Sequence, residues 1–269
     1  MEKSIIKVKS MSFKYQDEYI FKDFDLEIKE NSFVCIIGKN ASGKSTLAKI
    51  LIGLYKASGY INIDGYLLND FYLKKIRRIF SVCFDNADNH FIGETVADDL
   101  AFSLENLEYS KEDIDNSIAS FAKKFKIQDL LDKSSLELQD SEKEKVAICS
   151  SLIHNPKILL LDEAIYKLNA TDRKLVFRIL EEYRKKEGLT VILITHNLED
   201  TLFADRIIVL DKGKIVMDGD KKFVYKDNKL ERFGFTLPFM VQLSHNLMLY
   251  DLLDEVYFDE KKACDKLWE

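Results

Sequence analysis

The segment FVCIIGKNASGKSTLAKIL, residues 33–51, constrains this chain more than any other. A short unbroken apolar run, Phe33 to Ile37, reads as a strand buried on both faces. It runs straight into Gly38, four further residues, then Gly43, Lys44 and Ser45, and helical periodicity follows from Lys44 to Leu54. A glycine-rich turn between a buried strand and a helix start lets successive N–H groups point into one concavity, where the positive end of the helix dipole adds to them. The result is a cradle for a polyphosphate, built from Gly38, Lys39, Asn40, Ala41, Ser42, Gly43, Lys44, Ser45 and Thr46. Lys44 would reach the two terminal phosphates and the Ser45 hydroxyl would ligate Mg²⁺.

Similar apolar runs recur at Ile158 to Leu161, Val191 to Ile194 and Arg206 to Leu210, each bounded by polar residues or glycine. Helical periodicity fills the gaps at Glu112 to Phe125, Glu142 to Ile153 and Arg173 to Lys186, so strand and helix alternate and an α/β sheet covered by helices is expected. Before the glycine-rich turn, residues 6–28 alternate apolar and polar, as half-buried antiparallel strands do. In ILLLDEA the carboxylate of Asp162 stands at the end of a buried strand, where open α/β sheets hold their ligands. Asp162 would hold the Mg²⁺ through its water shell and Glu163 would polarise an attacking water. In TVILITHN the next strand ends at His196, whose imidazole can hydrogen-bond both the γ-phosphate and that water. Taken alone, a strand-end acid pair or a lone histidine is more often solvated or packed; the series gives them meaning. His90, His154 and His245 have no such setting.

The 40 basic and 46 acidic side chains give a net charge of -6 spread along 269 residues, which disfavours electrostatic capture of nucleic acid. No apolar run is long enough to span or insert into a bilayer, and the start MEKSIIKVKSMSF alternates where a signal peptide would be apolar, so a cytoplasmic location is expected. Cys35, Cys83, Cys149 and Cys264 lack the paired spacing of a zinc or dithiol site and read as reduced core thiols. Composition turns polar from Gly219 to Lys229, and the aromatic-rich helical stretch after it is expected to form a small C-terminal domain. Phe233, Phe235, Phe239, Tyr250 and Trp268 would there pack a core or meet a partner's tail.

Phosphate loop, Asp-Glu pair and strand-end histidine, in that order, resemble the ATP-binding cassette (ABC) transporter ATPases over nearly the whole chain. The resemblance implies ATP and Mg²⁺ as ligands and a P-loop ATPase fold of this family. That fold has an antiparallel β subdomain, a mostly parallel core sheet and an α-helical subdomain over about residues 85–155, together spanning residues 1–219, then a C-terminal helical dimerisation or regulatory domain at 220–269. It also implies an adenine-stacking aromatic upstream of the P-loop strand, a place that Tyr15 fills. Within the family, VCFDNADNHFIGETVADDLAFSLEN and KLERFGFTLPFMVQLSHNL are similar to the ATPases of energy-coupling factor importers for vitamins or metal ions. Those work as two paralogous A subunits on the cytoplasmic side of the cell membrane, beneath an integral T subunit and a substrate-binding S subunit; the stretch from Asp85 to Phe102 would be the groove for the T subunit's cytoplasmic helices, the alternative being a solvated helix–loop face carrying Asp88, Glu94, Asp98 and Asp99.

Three departures from the family's pattern stand out. Asp85 replaces a Gln that contacts Mg²⁺, and as an oxygen ligand it would serve the metal too. Tyr166 and Asn169 replace a Ser and an Asp in the loop after the Asp-Glu pair. The signature Leu-Ser-Gly-Gly-Gln reads Leu138, Gln139, Asp140, Ser141, Glu142, which removes both glycines and adds two acids where the partner's γ-phosphate would dock. The expectation is an asymmetric heterodimer, intact in its own P-loop site and degenerate in the signature it offers its partner. A non-hydrolysing subunit that binds ATP as dimer glue is the alternative, and a soluble ATPase of the same superfamily a more distant one.

Overall fold

The computed structural model describes residues 3–85, 90–227 and 229–268. Two sheets form its frame. Strands β1 (Ser4–Tyr15) and β2 (Glu18–Lys29) are the antiparallel pair that the alternating pattern predicts, and β4 (Ser58–Ile63) and β5 (Tyr66–Leu67) extend them to the order β2-β1-β4-β5. The second sheet has the order β10-β9-β3-β8-β7-β6, from β3 (Phe33–Gly38), β6 (Phe80–Cys83), β7 (Ile158–Asp162), β8 (Thr190–Ile194), β9 (Arg206–Asp211) and β10 (Lys214–Gly219). All its pairs are parallel except the β9/β10 hairpin.

The unbroken apolar runs have a simple cause. Side chains alternate across a strand, and both faces of this sheet are covered. Cys35, Leu161, Leu193 and Val209 enter the core on one face, whereas Ile36, Leu160, Ile194 and Ile208 enter the other. The second face packs on the antiparallel sheet with helix α1 (Lys44–Leu51), which contributes Leu47, Ala48, Ile50 and Leu51. The first is covered by α3 (Val96–Glu105), α4 (Lys111–Phe125), α5 (Asp140–Leu152) and α6 (Ala170–Glu187); α2 (Leu73–Ile79) leads into β6 at the sheet's edge.

Helix ends follow capping chemistry that periodicity does not register. α1 stops at Leu51, short of Leu54, because Gly53 and Leu54 fold their N–H groups back onto the Ile50 and Lys49 carbonyls. α6 starts three residues before the expected Arg173, since the Asn169 side chain accepts from the N–H groups of Thr171 and Asp172. The tail carries α7 (Lys221–Val224), α8 (Lys229–Arg232), α9 (Phe239–Met248) and α10 (Glu260–Leu267). Val224, Tyr225, Leu230, Leu237 and Val241 from this stretch join the core on the helix-covered face, while Phe239, Leu249, Tyr250 and Trp268 stay exposed.

Leu160 is fully buried between the sheets. Leu160→Ala is expected to lower the unfolding free energy by about 3 kcal/mol, seen as a lower urea midpoint at unchanged slope.

Candidate functional site

The phosphate loop leaves the carboxyl end of β3 and enters α1 through Gly43, whose φ of 107° is reserved for glycine and whose Cβ would collide with the Phe21 ring at 2.8 Å. Gly38 lies so close to β9 that a Cβ would meet the Leu210 carbonyl oxygen at 2.3 Å. No side chain caps the start of α1, so its first N–H groups stay available to an anion. Ser42, Gly43 and Lys44 are buried, Thr46 is half-buried, and Lys39, Asn40, Ala41 and Ser45 face outward. The Lys44 ammonium donates to the carbonyls of Gly38 (2.8 Å) and Lys39 (3.1 Å), closing the loop around its own charge. Burial lowers its pKa, and Glu163 and Asp162 oppose that shift.

Asp162, at the carboxyl end of β7, is 3% exposed, and its Oδ1 has no partner among the described residues. Burial pushes its carboxyl up to about 6; a hydrogen bond from Ser45 counters this, while Glu163 and Asp85 reinforce it. A buried acid with an orphaned oxygen, beside a serine hydroxyl, fits a hard divalent cation shared with phosphate oxygens. Ser45 and Asp162 would hold that Mg²⁺, with exposed Asp85 approaching from β6; residues 86–89, including Asp88, lie outside the described residues.

Glu163 adopts φ 57°, and its N–H is pinned to the Ile194 carbonyl at 3.0 Å, which bends the chain away from the sheet. Its Oε2 lies 2.7 Å from His196 Nδ1. A carboxylate only accepts, so the imidazole donates from Nδ1 and presents Nε2 to the open side. Tyr166 lies against His196 with ring centroids 5.0 Å apart. Tyr166 and His196, together with Lys39, Asn40 and the tail segment Gly234 to Pro238, border an open cleft of about 840 Å³. Tyr15 stands edge-on to Phe13 (5.0 Å) and Tyr55 (5.6 Å), which stack on each other, and keeps 43% of its surface exposed as a base platform would. The structure thus gathers Lys44, Ser45, Asp162, Glu163 and His196 at adjacent strand ends.

Sequence reasoning missed what surrounds them. The degenerate signature opens α5 with a closed capping box: the Gln139 N–H donates to Glu142 Oε2 at 2.9 Å. Ser141 donates to Asp172 (2.9 Å) and accepts from the Asn169 backbone N–H (3.1 Å), and Lys145 pairs with Asp172 at 2.8 Å. Glu144, buried between them, accepts from the Lys167 N–H at 2.7 Å, and desolvation pushes its carboxyl up to about 7. The partners are about 23–31 residues apart in sequence, and no local pattern announces them.

Ala41 sits at φ 62°, a left-handed conformation unfavourable for alanine by about 1 kcal/mol. Ala41→Gly is expected to raise stability by about that amount in urea melts. A raised pKa at Asp162 means the folded chain keeps a proton up to about pH 6 that the unfolded chain releases near 3.8. Ionising Asp162 therefore destabilises the nucleotide-free fold, contributing a fall of about 3 kcal/mol in unfolding free energy across that window; Asp162→Asn should remove that share of the slope and leave the part due to other buried acids such as Glu144.

Comparison with known proteins agrees with this geometry. The ABC transporter family model matches residues 21–166. An energy-coupling factor transporter ATP-binding protein, EcfA1, of Mesomycoplasma hyopneumoniae (strain J) is 37% identical over 270 residues, 98% of each chain. The protein of that name from Streptococcus pneumoniae serotype 2 is 37% identical over 273 residues, 99% of each. Among solved structures, cbiO1 of Clostridium perfringens, part of the ABC transporter complex cbiONQ, superposes with a TM-score of 0.77 at 28% identity, over 91% of this chain and 100% of that one. A cassette solved as a dimer in a post-hydrolysis state with ADP and phosphate gives a TM-score of 0.73 at 28% identity, over 80% of this chain and 98% of that one. With its phosphate loop, buried strand-end acid and Glu-His pair at neighbouring strand ends, the chain belongs to the ABC transporter ATPases.

Proposed function

We propose that this chain is the ATP-hydrolysing subunit of an energy-coupling-factor-type import complex, acting in an asymmetric pair with a paralogous ATPase. The carrying observation is a contrast within one molecule. The cis residues converge at the carboxyl ends of the neighbouring strands β3, β8 and β7, whereas the signature helix has its start filled by its own acids. Glu142 caps the N–H group of Gln139, and Asp140, 3.8 Å from Lys167, adds a second negative charge at the same end. An anion approaching that helix start meets like charge; at 4 Å and an effective dielectric near 20 one such pair costs roughly 4 kcal/mol, less where water screens it. The paralogue's signature would thus complete this chain's site, while this chain's signature leaves the reciprocal site slow.

In this reading the loop amides bind the triphosphate and Lys44 exchanges its two loop carbonyls for phosphate oxygens. Mg²⁺, when bound, neutralises charge that develops on the phosphates. Glu163 orients the attacking water once His196 turns from it toward the γ-phosphate, and Tyr15 stacks the adenine. No helix among the described residues is long and apolar enough to cross a membrane, so attachment to a membrane runs through protein partners. The exposed Ile92 and Phe102 in the 85–102 stretch would receive cytoplasmic helices of an integral T subunit, which works with a substrate-binding S subunit.

Phosphate release from the chain alone and mixed with its paralogue tests the proposal. Turnover should require the mixture and fall at least about 100-fold with Glu163→Gln in this chain, ATP binding being retained. Equal turnover by the isolated chain as a homodimer would overturn it.

A further inference from the structure

Directly after His196 and Asn197 the chain makes a 3₁₀ turn, Leu198–Phe203, that is held from two sides. On the sheet side, Thr195 Oγ1 accepts from the Asn197 N–H (3.0 Å) and donates to Asp200 Oδ2 (3.0 Å), while Arg173 of α6 grips Asp200 Oδ1 at 2.8 Å from Nε. On the other side every partner comes from the C-terminal tail. The Phe239 N–H, at the start of α9, donates to Glu199 Oε1 (2.7 Å), and Lys221 of α7 donates to the Leu202 carbonyl (2.6 Å). Thr201 Oγ1 has one proton and lies 2.7 Å from the Leu198 carbonyl, which can only accept. The Tyr225 hydroxyl, 2.5 Å from the same Oγ1, is therefore the donor. Both side chains are fully buried, and the tyrosine's pKa stands well above its usual value through desolvation, so the phenol keeps its proton. His245 of α9 in turn donates to the Tyr225 carbonyl at 2.9 Å.

We propose that the C-terminal tail positions His196, through the relay Tyr225 to Thr201 to the Leu198 carbonyl and through the Phe239 N–H on Glu199. Leu198 and Glu199 border the cleft beside His196, whereas Tyr225, Thr201 and Phe239 do not line it, so among the described residues the tail acts on the imidazole through the turn and makes no bond to the phosphate loop's Lys44. The inference rests on the role given above to His196. It makes the tail a lever on hydrolysis: whatever grips the exposed side of α9 pulls on the turn that carries the histidine.

The test uses the full chain with its paralogue. Tyr225→Phe, Thr201→Val and Glu199→Ala are expected to lower kcat roughly three- to ten-fold, the factor one neutral hydrogen bond contributes, with KM for ATP within about two-fold. Thr201→Ser keeps the hydroxyl and should keep kcat. Amide exchange over residues 197–203 should quicken in the first set only. Wild-type kcat in both Tyr225→Phe and Glu199→Ala, or equal loss in Thr201→Ser and Thr201→Val, would overturn the proposal. His196→Ala separates the two readings: if it retains turnover, the role of His196 falls, and exchange at 197–203 still decides whether the tail holds the turn.

Discussion

An acid and a base lie buried around a cavity made for an anion. Asp162, at the end of β7, is 3% exposed and Lys44, at the start of α1 beyond β3, 8%. Taking such charges out of water is unfavourable unless a partner compensates, and neither is fully compensated by the chain itself. Lys44 borrows two loop carbonyls, and one Asp162 oxygen has no partner among the described residues. The fold thus holds unsatisfied polar groups that a triphosphate and its metal would satisfy together, and the double-sided apolar core around β3, β7 and β8 keeps them in place.

The same logic explains the asymmetry between the two ends of the molecule. At the start of α1 no side chain competes for the helix N–H groups, so an anion can take them. At the start of α5 Glu142 and Asp140 are there already, Glu142 on the Gln139 N–H and Asp140 facing Lys167, while Asn169 and Asp172 hold Ser141 between them and tie the helix start to the loop after Glu163. Two helix N-termini of similar construction therefore have opposite electrostatic character, set by which residues stand in the first turn.

Helix α6 and the tail brace the segment between these ends. Arg173 holds the His196 turn from the cassette through Asp200, and Tyr225, Lys221 and the Phe239 N–H hold it from the tail. The expected small C-terminal domain shares its buried residues with the cassette, Tyr225 and Leu230 lying in the same core as Leu161 and Val209.

What the sequence determined by itself was local. The strand, turn and helix of residues 33–51 specify a phosphate cradle because glycine spacing and helix polarity act over single turns, and the apolar runs at 158–161 and 191–194 carry Asp162 and His196 to strand ends for the same short-range reason. Only the tertiary structure decided which ends are neighbours. β3, β8 and β7 lie side by side although more than 100 residues separate β3 from the other two, so Glu163 can pin itself to Ile194 and bond His196. The same holds for the Ser141, Asn169 and Asp172 network and for the tail's hold on Thr201. Such contacts depend on strand order and on which face each helix covers, and those follow from burying all the apolar surface at once, a condition no short stretch of sequence contains.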